Sequence, residues 1–342
     1  MKLRASIEKG IMAFDRVLAG VTQVLFDERP GLLVLGLHAV FRDELEAAQG
    51  HIVPHQGLSR SRLKGLAEAL LRVGYAFVGA DELLAGLDPG ERYALFTFDD
   101  GYYNNTLAQE VLGELGIPAI YFITSDNSEY QRCYWPDVLY RELNQRGQAP
   151  GAIHAALEEH MGMSGERANE SVSALFGEGA FTPRGDIDRP FSAAELARFS
   201  RMEGVCIGNQ TRSHAILPLL SAGQIEEELN ASQRWIEAQT GRAPFAIAYP
   251  CGVYNEQVLK IVQERGFTLG FSIEIGKNRF PRSGHYPERL RLRRQSFSGE
   301  ARLEERLRVL RSDVSLYGPI KNLLDRRRIA AMSVGEATKG GE

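Results

Sequence analysis

Cysteine is scarce: Cys133, Cys206 and Cys251 are the only three in 342 residues, an odd number and widely spaced. That excludes a disulfide framework and fits reduced thiols in a cytoplasmic protein. No apolar run is long enough to cross a bilayer. Lys2 and Arg4 stand at the N-terminus, but the apolar Ile11-Met12-Ala13-Phe14 that follows is cut off by Asp15 and Arg16, which makes a poor secretory signal. Neither sign of charge is in excess, with a formal net charge of -4, and no nucleic-acid-binding motif is present. Nucleic acid is therefore not an expected partner.

What is present is ordinary globular material, 44% hydrophobic, enough for a large core. Leu3, Ile7, Ile11, Phe14, Leu18 and Val21 recur at helical spacing, so residues 5–22 read as an amphipathic helix. It is expected to pack on the domain; lying against a bilayer would instead suit peripheral contact with a lipid-linked substrate. Next come short apolar runs alternating with amphipathic helices. Leu32–Leu37, Tyr75–Val78, Tyr93–Phe98, Ala119–Ile123, Val205–Gly208 and Phe267–Phe271 read as strands. Short glycine joins between the elements predict a parallel sheet, closed or curled into a barrel. Residues 124–200 break the rhythm with a polar, irregular segment containing helices near Trp135–Leu143 and 152–176. A connection of that length ordinarily covers an active site or binds a partner. The expected organisation is an N-terminal helix over 1–30, a barrel over 31–300 with an insertion at 124–200, and a C-terminal helix and tail over 301–342.

The strand Tyr93–Phe98 ends in two adjacent carboxylates, Asp99 and Asp100, followed by Gly101. Neighbouring strand residues point to opposite faces, so two adjacent acids converge only where the backbone turns. Gly101 tolerates positive φ and can supply that turn. Carboxylates at the C-terminal end of a parallel strand lie where α/β folds keep their chemistry. His38, just past Leu32–Leu37, should open on the same rim.

Thr97-Phe98-Asp99-Asp100-Gly101 resembles the signature of the polysaccharide deacetylases, the NodB homology domain of carbohydrate esterase family four. Asn209-Gln210-Thr211-Arg212-Ser213-His214 resembles the family's second motif, with Gln210 where its first histidine stands. Ala248-Tyr249-Pro250-Cys251-Gly252 resembles the third, with Cys251 in place of tyrosine. Leu290-Arg291-Leu292-Arg293-Arg294 resembles a late motif ending in arginine. Trp135-Pro136-Asp137 resembles a Trp-rich helix of some members, and Trp135 could equally anchor the insertion. The resemblance spans roughly residues 32–295 and implies a distorted (β/α) barrel of about seven parallel strands.

It further implies metal-assisted hydrolysis of an N-acetyl or N-formyl amino sugar, in surface polysaccharide or lipopolysaccharide biosynthesis. Asp99 would be the base, Asp100, His214 and Gln210 would hold a divalent cation such as zinc, and Cys251, Tyr249 and Arg294 would serve the substrate or oxyanion. His38 is the candidate general acid; His285 lies in a polar loop nearby. Gln210 is a poor substitute for imidazole on zinc. The alternative is therefore a non-catalytic sugar-binding or scaffold protein that kept the fold and lost the metal. A cytoplasmic location would favour a nucleotide-linked or lipid-linked sugar over an exported polymer.

Overall fold

The computed structural model describes residues 2–54, 57–279, 288–297 and 303–324; His285 and the basic run at 326–328 lie outside them. In chain order the strands are β1 (Gly31–Leu37), β2 (Ala39–Phe41), β3 (Gly57–Ser59), β4 (Ala76–Phe77), β5 (Arg92–Phe98), β6 (Ala119–Ile123), β7 (Val205–Asn209), β8 (Ala246–Ala248), β9 (Leu269–Phe271) and β10 (Gln295–Ser296). Eight of them form one parallel sheet in the order β10-β1-β5-β6-β7-β8-β9, with β4 beside the start of β5. A bridge from Phe271 to Leu292, and the pairing of Leu35 and Gly36 with Gln295 and Ser296, make the segment 292–296 join β9 to β1. The expected distorted α/β barrel is thus the one observed. The distortion lies in strand length, seven residues in β1 and β5 but three in β8 and β9.

Strands buried on both faces need apolar side chains at every position, which is why they read as continuous runs rather than alternations. Their two faces nonetheless serve different cores. Leu32, Val34, Leu95, Ile120, Phe122, Ala246, Ala248, Leu269, Phe271 and Leu292 pack with one another inside the barrel. The intervening Leu33, Leu35, Phe96, Phe98, Ala119 and Tyr121 face outward. There they meet Leu63, Leu66 and Leu70 of the helix Arg60–Arg72, and Val111 and Leu112 of the helix Asn105–Glu114. This two-residue period decides which side chains reach the barrel mouth.

The N-terminal helix Lys2–Leu25 packs against the helix Leu303–Arg311. Its buried Asp15 accepts the backbone N–H groups of Leu316 and Tyr317, at 2.9 and 3.0 Å, at the start of the next helical segment. Among the described residues no helix is long and apolar enough to cross a membrane.

Residues 124–200 leave β6 and return to β7 as helices, chiefly Trp135–Gln145, Pro150–His160, Gly165–Phe176 and Ala193–Phe199. They carry a core of their own, built on Cys133, Val138, Leu139, Val172 and Phe181. Trp135 packs onto it with its ring 6.0 Å from that of His160, so it anchors the insertion internally. The insertion also comes back over the strand ends. Tyr102 bridges Pro190, and the Phe191 N–H donates to the Gly101 carbonyl at 3.1 Å.

Candidate active site

Strand phase places three side chains on the barrel axis. Asp99 continues the inward phase of Leu95 and Thr97, Gln210 that of Cys206 and Gly208, and Arg294 that of Leu292. Asp99 and Arg294 meet: Asp99 Oδ1 accepts from Arg294 Nη1 at 2.6 Å, and both side chains are buried. The guanidinium is fixed on two further sides, donating through Nε to the Ser272 carbonyl at 2.9 Å and through Nη1 to Thr97 Oγ1 at 3.3 Å. One carboxylate oxygen of Asp99 is thus pinned by a charge-assisted bond, which fixes the direction of the other.

Simple alternation would send Asp100 outward. It reaches the same mouth because its own backbone turns left-handed, with φ 73, and Gly101 continues the turn with φ 84. The glycine was expected to make this turn alone; the aspartate shares it. Asp100 is braced on every side. Its N–H donates to Gln210 Oε1 at 2.7 Å, its Oδ1 accepts from Gln210 Nε2 at 3.0 Å, and its carbonyl accepts from the Tyr134 hydroxyl. His214 Nε2 stands 3.6 Å from the same Oδ1. Burial pushes the Asp100 carboxyl up to about 6, with neighbouring Asp99 raising it further while His38, Gln210 and Arg294 pull it back. Burial likewise lowers the His214 pKa, against the pull of Asp99 and Glu228.

Left-handed backbone costs a non-glycine residue about 1–3 kcal/mol and persists only where the surroundings impose it. Five such residues occur among those described, and four of them are Asp100, Thr211, His214 and Cys251. Strain therefore concentrates where the three sequence motifs meet. Cys251, at φ 53, is followed by Gly252 at φ 68, where a Cβ would fall 2.5 Å from the Ile273 nitrogen, so only glycine fits beside it. The exposed Cys251 lies on a tight turn just past the end of β8, at the rim.

His38 follows β1 half-buried, close enough to Asp100 to act on its charge, and its carbonyl is held by Asn105 Nδ2 at 2.7 Å. Tyr249 is the exception among the expected residues. It falls in the outward phase with Ile247, packs among Ile225, Leu229 and Val258, and its hydroxyl donates to the Leu290 carbonyl at 2.8 Å. Its side chain is therefore a strut beneath the third motif, not a substrate contact: period two turns it away where motif adjacency had suggested the site.

Sequence reading missed the support beneath Asp100. Tyr134, from the insertion, ties to its carbonyl, and Tyr102 packs against Tyr134 at 4.5 Å between rings. The Tyr102 hydroxyl donates at 2.6 Å to Asp137, which also accepts the Val53 N–H at 3.0 Å. Desolvation dominates the Asp137 carboxyl and pushes it up to about 7, although both hydrogen bonds favour the charged form. Its folded pKa lies above its unfolded value. Between about pH 4 and 7 the unfolded chain has then released a proton that the folded chain retains, so stability falls as pH rises through that window. Asp137→Asn should remove this loss. Urea midpoints at pH 5 and pH 8 should show the wild type losing ground to the variant, and parallel midpoints would mean that Asp137 is charged throughout.

The resemblance implies a divalent cation on Asp100, His214 and residue 210. Asp100 Oδ1 and His214 Nε2, 3.6 Å apart, are close to the spacing of two ligands on one tetrahedral zinc with bonds of about 2.0–2.1 Å. The third ligand does not fit. Gln210 Oε1, the only metal-ligating atom of that side chain, is engaged by the Asp100 N–H. No three His, Cys, Asp or Glu side chains gather as a metal site among the described residues. Two ligands stand where a catalytic zinc takes three from the protein.

A family model for polysaccharide deacetylases matches residues 86–270, more than half of the chain. YxkH of Bacillus subtilis (strain 168), provisionally named a polysaccharide deacetylase, is 24% identical over 189 residues, covering 55% of this chain. The match covers 47% of YxkH, so the chain spans about half the length of that relative. Among solved structures, BC0361, a polysaccharide deacetylase from Bacillus cereus, superposes with a TM-score of 0.55 at 18% identity over 82% of this chain and 69% of its own. IcaB from Ammonifex degensii gives 0.56 at 17% over 83% and 99%. The Streptococcus pyogenes deacetylase PplD, solved with acetate, gives 0.54 at 16% over 82% and 99%. At these identities the structural likeness is one of fold.

Proposed function

The chain belongs to the polysaccharide deacetylase family, and from that premise we propose that it hydrolyses the N-acyl group, acetyl or formyl, of an amino sugar in a surface polysaccharide or its precursor. The observation that carries the reading is the buried Asp99–Arg294 pair at the mouth of the barrel. A carboxylate pinned through one oxygen and aimed through the other is built to take a proton from a fixed direction.

In this reading Asp99 removes a proton from water as its oxygen attacks the acyl carbon. The Cys251 N–H, on its left-handed turn, donates to the oxyanion that forms. Collapse breaks the C–N bond, and His38 gives the departing amine its proton, leaving a free amino sugar and a carboxylate. The acetate held by PplD supports acetyl as the acyl group. None of the three cysteines is in a disulfide, which supports a reducing compartment and with it a nucleotide- or lipid-linked precursor. Phe14, Val17 and Val21, exposed on the N-terminal helix, would suit peripheral contact with a lipid-linked form.

A second reading, sugar binding without hydrolysis, is favoured by one observation, the Gln210 amide at the metal-ligand position. Incubation with N-acetylated and N-formylated amino-sugar oligomers separates the two. Acetate or formate release supports the hydrolase. Oligomer binding with no release across pH 6–9 selects the binder.

A further inference from the structure

Gln210 occupies the place of an expected metal ligand, and its amide orientation is not arbitrary. The backbone N–H of Asp100 can only donate, so the atom it meets at 2.7 Å must be the amide oxygen. That leaves the NH₂ group to donate to Asp100 Oδ1 at 3.0 Å. Turned round, the amide would set N–H against N–H and oxygen against carboxylate, losing both bonds in a buried place. Gln210 is 2% exposed, and its own N–H is anchored on the Ile123 carbonyl at 3.0 Å. Both of its side-chain bonds fall on one residue with a left-handed backbone, so they fix the turn and the carboxylate together.

A cation shared by Asp100 and His214 would need a third protein lone pair nearby. Residue 210 turns its amide oxygen to the Asp100 N–H and its N–H toward Oδ1, a positive edge facing the place the cation would take. We infer that Gln210 stands in for the metal: its amide does the holding of Asp100 that a cation would do, and the site works without a resident zinc. The metal claim stands on this geometry, and its bearing on catalysis rests on the deacylase reading.

Zinc titrated calorimetrically into the full chain tests it, with Gln210→His and Gln210→His/Asp100→Asn alongside. The wild type should show no saturable uptake at micromolar zinc. Gln210→His should bind about ten- to a hundredfold more tightly, and the double variant should lose that gain. Tight wild-type binding that disappears in Asp100→Asn overturns the inference. So does equal affinity in wild type and Gln210→His, because residue 210 would then not face the cation position. If Gln210→His folds poorly, the rise of its melting temperature on zinc addition gives the same readout. Acyl release by the wild type should survive a chelator, and loss there with recovery on added zinc also overturns it. No release under either condition counts against the deacylase reading alone and leaves the titration to decide this one.

Discussion

Asp99→Asn should lower the rate of acyl release by about 10²–10⁴-fold, the range that a positioned acid or base contributes. The amide oxygen of asparagine can still accept from Arg294 Nη1, so the geometry of the pair is largely retained. What it cannot do is take a proton. The change also leaves the Arg294 charge without its counter-charge in a site where both side chains are buried, so some loss of stability comes with it. Rates must therefore be compared well below the variant's melting temperature. Substrate affinity should change far less than turnover, since the oxyanion donor at Cys251 and the walls of the mouth are untouched. A variant that keeps wild-type turnover would show that the base lies elsewhere, with His38 and Asp100 the remaining candidates on the rim.

How far the site could be read in advance follows from which contacts are local. The strand Arg92–Phe98 and the acids at its end were legible because apolar runs and turn residues act within a few positions. The identity of Gln210 was legible, but its role was not, because both of its partner atoms belong to a residue 110 positions away. Arg294 was picked out by its motif, yet nothing local indicates that it reaches Asp99, 195 residues earlier, across the seam where the barrel closes. Tyr249 was misjudged for a different reason. It shares a motif with Cys251, but its side chain keeps the outward phase of Ile247 while Cys251 lies past the strand end on a turn, and motif membership gave no hint of that. Of the supports from the insertion, Tyr134 on Asp100 had no signal, and Asp137 stood in a recognised motif that gave no hint of its place beneath Tyr102. A polar, irregular segment shows only that something is covered, not which residues do the covering.

Arg294→Met is the change with the largest expected effect on the fold and the site together. Methionine fills much of the arginine stem but leaves Asp99 buried with no counter-charge. Breaking a buried pair from one side typically costs about 3–5 kcal/mol, because the remaining charge stays desolvated. Two consequences separate this from ordinary loss of packing. The first is a rescue: Asp99→Asn added to Arg294→Met removes the stranded charge, so the double variant should be more stable than Arg294→Met alone, although it is no more active. A packing defect would instead make the double variant the worse of the two. The second is a loss of turnover beyond the loss of stability. The activity that Arg294→Met retains should fall by about a hundredfold even where the variant is fully folded, as the carboxylate loses its fixed direction. Urea midpoints for the two single variants and the double, with rates for wild type and Arg294→Met well below the variant's melting temperature, check both. If the double variant shows no rescue and turnover holds, Arg294 acts as filling for the barrel and not as the partner that aims Asp99.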